Sequence, residues 1–97
     1  MIIVRKLITT PKFNRSLRKF TKRNSELRER VQKTLEQMTE DVFAPNLDTH
    51  KLGGSLEGIK ACSCGYDCRV LFSIDRDSET ESEVIILLDV GNHDDVY

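Results

Sequence analysis

The chain has 97 residues, 38% of them apolar and 32% charged, with a formal net charge of −1. That is enough for one compact domain of two packed layers over 1–97, and too little for a second domain or a large cofactor cradle. No segment approaches the ~20 apolar residues of a membrane span, and Arg5 and Lys6 break the apolar start "MIIVRKLI" too early for a secretion signal, so a cytoplasmic protein with no membrane partner is expected.

Residues 2–8 alternate as a strand, supported by the β-branched Ile2, Ile3, Val4 and Ile8. The following "TTPKF" reads as a helix start, with Thr10 as N-cap and Pro11 at the first helical position, where its missing N–H is harmless. Phe13, Leu17 and Phe20 then recur as one apolar stripe, with Lys12, Arg15, Arg18, Lys19 and Lys22 on the other faces. Asn24 caps a second helix whose stripe is Leu27, Val31, Leu35 and Met38, and Pro45 forbids its continuation.

Beyond the loop "THKLGGSLEG", residues 56–64 and 68–74 read as strands joined at "CGYD", where Gly65 can supply a positive φ. The acidic "DRDSETESE" is a solvated turn, and the apolar run "VIILLDV" at 84–90 fits a strand covered on both faces. The order β-α-α-β-β-β makes an α+β fold, a helical hairpin packed on one face of a mostly antiparallel four-stranded sheet, with the opposite face open to a partner.

Charge is divided unevenly. Residues 1–37 hold eleven Lys and Arg against three Glu, net +8, and the remainder holds four against thirteen acids, net −9. A basic helical face for an anionic partner and a solvated helix surface both fit that division. Cys62, Cys64 and Cys68 lack the paired C-x2-C spacing of a zinc site. They read as small buried hydrophobes in a reducing compartment, with a redox role left open. No metal or other cofactor is expected.

Three segments in order, "HKLGGSLEG" at His50–Gly58, "YDCRVLF" at Tyr66–Phe72 and "LLDVGNHDDVY" at Leu87–Tyr97, resemble the RelE/ParE superfamily of toxin–antitoxin toxins over nearly the whole chain. The closing G-x-H-x-x-x-Y is most similar to the RelE and YafQ side, whose members cut messenger RNA on the ribosome. The resemblance implies a metal-independent endoribonuclease that inhibits translation, with the ribosome, mRNA and a cognate antitoxin as partners. The alternatives are a ParE-like poison of DNA gyrase and an inert member that only binds antitoxin.

RNA cleavage without a metal uses the ribose 2′-OH as nucleophile and needs a base, an acid and cations facing the developing charge. The resemblance puts His93 and Tyr97 at the family's C-terminal functional positions, Arg69 at a phosphate-binding arginine, His50 at a histidine kept in YafQ-like toxins, and Asp67 at an acid there. Each also has a structural reading. His93 can cap or pack, Arg69 can pair with Asp67, Tyr97 can anchor in the core, and Asp67 suits a turn. Lys51, Lys60, Arg15, Arg18 and Lys19 are the candidate RNA or phosphate contacts. Some relatives carry a second histidine where Ser63 stands here, which leaves His50, Lys51 or Lys60 to share its role.

Overall fold

The computed structural model describes residues 5–52, 58–92 and Val96. Five strands, β1 (Lys6–Thr9), β2 (His50–Lys51), β3 (Lys60–Ser63), β4 (Arg69–Arg76) and β5 (Glu83–Gly91), form one sheet in the order β1-β5-β4-β3-β2. Strand β1 runs parallel to β5, and every other pairing is antiparallel. Helices α1 (Pro11–Phe20) and α2 (Ser25–Glu40) lie between β1 and β2 in sequence. The α+β architecture is the expected one. The sheet has five strands rather than four because His50 and Lys51 pair with Ala61 and Lys60, a two-residue edge too short to carry a periodicity.

Both helices begin where local chemistry directs them. Thr10 accepts from the Phe13 amide at 3.2 Å and donates from its hydroxyl to the Leu87 carbonyl at 2.9 Å, so one side chain caps α1 and ties it to β5. Asn24 accepts from the Leu27 amide at 3.0 Å. Helix α2 stops at Glu40, ahead of Pro45. The Asp41 amide still donates to the Gln37 carbonyl at 2.8 Å, but its carboxylate turns to the Phe43 amide at 3.1 Å, an Asx turn that ends the helix without the proline. Pro45 instead opens a short 3-10 turn, Pro45–Leu47.

The main core lies between the helices and the sheet. Phe13 from α1 and Val31, Leu35 and Met38 from α2 meet Cys62, Val70, Phe72, Ile85, Leu87 and Val90 from the strands. A second, smaller cluster occupies the other face. Ala61, Leu71 and Val96 are buried there, with Leu52, Ile59 and Leu88 packed around them. The face expected to lie open is thus partly covered by Val96. A bulge in the β4–β5 pairing, where Leu71 faces Asp89 and Phe72 faces Leu87, leaves Leu88 as the extra residue and rotates the end of β5 relative to the rest of the strand. Among the described residues no helix is long and apolar enough to cross a membrane.

Candidate active site

The site is built around the turn between β3 and β4. Cys64 donates from its amide to the Cys68 carbonyl at 2.9 Å, and Cys68 to the Gly65 carbonyl at 3.3 Å. A disulfide joins Cys64 to Cys68, with Cα atoms 5.0 Å apart. Gly65 suits the turn by its backbone, and a side chain there would also have to displace Arg30. Its φ is +116°, and a Cβ there would stand 2.7 Å from Cδ of Arg30, whose side chain crosses the turn. Asp67 sits at φ 53°, a left-handed conformation that Asp tolerates better than most residues. It is exposed and shapes the turn.

Arg69 opens β4 directly after the disulfide. Its Nη1 donates to the Cys68 carbonyl at 2.8 Å, the Gly65 carbonyl at 3.2 Å and the Ser63 hydroxyl at 3.4 Å. Three contacts through one nitrogen fix the guanidinium. Nη1 is thus the nitrogen that the turn holds, and the planar fork also carries Nε and Nη2, donors of the kind that bind an anion.

Strand register decides what shares this face. Ser63 pairs with Arg69, Ala61 with Leu71, and His50 with Ala61, and residues directly opposite in an antiparallel pair lie on one side of the sheet. His50 and Arg69 therefore belong to the face where Val96 packs on Ala61 and Leu71. Nδ1 of His50 lies 2.9 Å from the Asp48 carbonyl. A carbonyl only accepts, so Nδ1 donates, and in the neutral ring Nε2 is the basic nitrogen. His93 and Tyr97 lie outside the described residues. Val96, between them in sequence, is 8% exposed, and its amide donates to the Asn92 carbonyl at 3.3 Å.

The other candidates lie elsewhere. Lys60 pairs with Phe72 and Lys51 with Lys60, which puts both on the helix-covered side at the β2–β3 edge. Arg15, Arg18 and Lys19 are exposed on α1, in the helix layer and not around Arg69. Lys19 lines a cleft of about 470 Å³ with Lys12, Ser16, Phe20, Asp89 and Val90. Asp89 was not singled out from the sequence, although an acid inside an apolar strand was the available signal. It is buried, accepts from the Val90 amide at 2.9 Å and lies 3.6 Å from Nζ of Lys12.

The three cysteines are buried, as expected of small hydrophobes, but only Cys62 is a free thiol. Burial pushes its pKa up to about 12, against a weaker opposing pull from the Arg69 charge. Its thiol points to the Met38 sulfur at 3.7 Å. Among the described residues no group of three or more His, Cys, Asp or Glu is arranged to hold a metal ion.

Residues 5–97 match a family described as a bacterial toxin of type II toxin–antitoxin systems, YafQ. No curated protein matches the chain in sequence. Among solved structures, the E. coli DinJ–YafQ complex is similar at TM-score 0.75 and 12% identity, over 96% of this chain and 98% of that one. The YoeB/ParE toxin from Agrobacterium tumefaciens is similar at TM-score 0.73 and 12% identity, over 91% and 98%. The toxin–antitoxin complex RelBE2 from Mycobacterium tuberculosis is similar at TM-score 0.72 and 16% identity, over 94% and 100%. At these identities the likeness establishes the fold alone, the one these toxins share.

Proposed function

The chain belongs to the YafQ family of toxins of type II toxin–antitoxin systems, and from that premise we propose that it is a metal-independent mRNA endoribonuclease acting on the ribosome. The observation that carries the chemistry is Arg69, a partly buried guanidinium clamped by its own turn on the sheet face shared with His50 and Val96.

In metal-free cleavage a base takes the proton of the 2′-OH, O2′ attacks the adjacent phosphorus, and the 5′-oxygen leaves with a proton from an acid. Negative charge grows on the non-bridging oxygens as the phosphorane forms, and a fixed cation there favours the transition state over the ground state. In this reading Nε and Nη2 of Arg69 meet those oxygens. His93 exchanges the proton at neutral pH, and His50, with Nε2 as its basic nitrogen, is the second proton-transfer group in a chain that has Ser63 where relatives have a histidine. Tyr97 stacks on a base or orients the phosphate. Asp67 holds the turn that carries Arg69. Lys51, Lys60, Arg15, Arg18 and Lys19 contact phosphates farther from the cut. The relatives solved as complexes support a cognate antitoxin as partner, with an acidic segment lying across the cations of α1 and ordering as it binds.

The test is to induce the protein, follow growth and map new mRNA 5′ ends. Cuts confined to translated frames support the reading. Intact mRNA with double-strand DNA breaks overturns it in favour of a gyrase poison, and unaffected growth with antitoxin binding intact indicates an inert member. His93→Ala and deletion of Tyr97 are each expected to lower cleavage by about 10²–10⁴-fold, the range of a lost acid–base or positioning group.

A further inference from the structure

We propose that Cys64 and Cys68 form a redox modification site that sets the reach of Arg69, with low-molecular-weight thiols and disulfides as its reactants. The proposal rests on the reading of Arg69 as the phosphate-binding group and adds a regulation of that group.

The coupling is geometric. All three acceptors of Arg69 Nη1, the Ser63 hydroxyl and the Gly65 and Cys68 carbonyls, belong to the turn that the disulfide closes or to the residue just before it. Ser63 is part of the same net, since its hydroxyl donates to the Gly65 carbonyl at 3.2 Å. The turn follows a tight path, with Gly65 and Asp67 both at positive φ. Its three middle residues, Gly65, Tyr66 and Asp67, are exposed. Alongside the sulfur–sulfur bond run the backbone hydrogen bonds from Cys64 to the Cys68 carbonyl and from Cys68 to the Gly65 carbonyl, and the second ends on the carbonyl that Arg69 also uses.

In the disulfide form Nη1 is anchored and the remaining donors are pre-aimed, so an anion finds a side chain with little rotamer freedom left to lose. In the dithiol form the left-handed Asp67 can relax, the carbonyls separate, and Arg69 loses its anchor. Oxidation therefore strengthens anion binding and reduction weakens it.

The chemistry balances without a group outside the proposal. The thiolate of one cysteine attacks a sulfur of a small disulfide and expels one small thiol. The thiolate of the other then attacks the protein sulfur of the mixed disulfide and expels the second. Two protein thiols lose two electrons and two protons, and the small disulfide leaves as two thiols. Cys64 and Cys68 are 2% and 0% exposed, so exchange proceeds through opening of the exposed turn. Cys62 does not compete. Burial keeps its thiol protonated well above neutral pH, and exchange requires a thiolate.

The experiment measures the affinity of the full chain for a short 2′-O-methyl RNA, which binds but cannot be cut, in oxidised glutathione and in dithiothreitol, with free thiols counted in each. The expected result is roughly threefold to tenfold weaker binding in the reduced state, the scale of losing a preorganised contact. Arg69→Ala should bind equally weakly in both buffers, and Cys64→Ser/Cys68→Ser should match the reduced chain. If that double variant does not fold, the native chain in the two buffers still decides. Equal affinity, tighter binding when reduced, a redox effect that survives Arg69→Ala, or a disulfide that resists dithiothreitol until the fold melts would each overturn the proposal. Redox-dependent affinity with no mRNA cleavage in either buffer would remove the nuclease reading and leave this one standing. Cleavage and affinity unchanged by redox state would do the reverse.

Discussion

The two faces of the sheet are built for different work. The helix-covered face buries Phe13, Met38, Phe72 and Ile85 at 1% exposure or less, with two helices over the strands. The opposite face has a small cluster, Ala61, Leu71 and Val96, beside an arginine fixed by hydrogen bonds. Burial of apolar area sets stability, so the first face holds the fold. The second spends little apolar area and arranges donors, as a recognition surface does. The difference teaches that the packed core and the hydrogen-bonded arginine can be damaged separately in this chain.

The largest expected effect is on the covered face. Phe72→Ala removes a fully buried ring and should cost about 3–5 kcal/mol. At roughly 4–8 °C per kcal/mol for a domain of this size, a thermal melt should show a fall of more than ten degrees. A fall of only a few degrees would break the claim that this face carries the stability.

The second prediction concerns Cys62 on the same face. Its thiol titrates near the ordinary value of 9.0 when unfolded and at about 12 when folded. The folded pKa is raised, so the stabilising contribution is complete below pH 9 and is lost as pH rises toward 12. Urea melts across that window should show the native chain losing stability faster than Cys62→Ala, by up to one proton's slope. Equal slopes would mean that the thiol is not buried as described.

Val96→Ala sharpens the comparison most. Removing two methyl groups from a small cluster should cost about 1–2 kcal/mol, a modest shift in melting temperature. On the proposed reading cleavage should fall further than stability, because Val96 is the neighbour of Tyr97 in sequence and lies three residues after His93. A variant that melts a few degrees earlier and cuts normally would separate Val96 from the activity.

The smallest effect is expected at the caps. Thr10→Ala should cost about 1 kcal/mol by the loss of its helix cap, and somewhat more through its bond to Leu87. The melt should move while RNA binding at Arg69 stays unchanged, because the cap serves only the covered face.

Much of the fold was legible because its signals are local. Thr10, Pro11 and Asn24 announce helix starts within four residues of chain, and the stripes Phe13–Leu17–Phe20 and Leu27–Val31–Leu35–Met38 follow the helical period without reference to any other segment. Gly65 was readable for the same reason. The end of α2 was read from Pro45 when Asp41 had already turned the chain, because a side chain bonding to a nearby amide competes with the helix at short range and leaves no periodicity behind. The candidate site was legible as residue types. Arg69 and His50 were named through the family resemblance, but nothing in the sequence said that they share a face.

What the sequence by itself determined is the set of elements, their order and the family to which the chain belongs, since periodicity, caps and motif spacing act over a few residues. What only the tertiary structure decided is which residues meet. The pairing of His50 with Ala61, the bulge at Leu88 and the seating of Val96 on Leu71 depend on register. A shift of one residue would send each of these side chains to the other face. Register is set by the packing of the whole sheet against its helices, so no local stretch of sequence contains it.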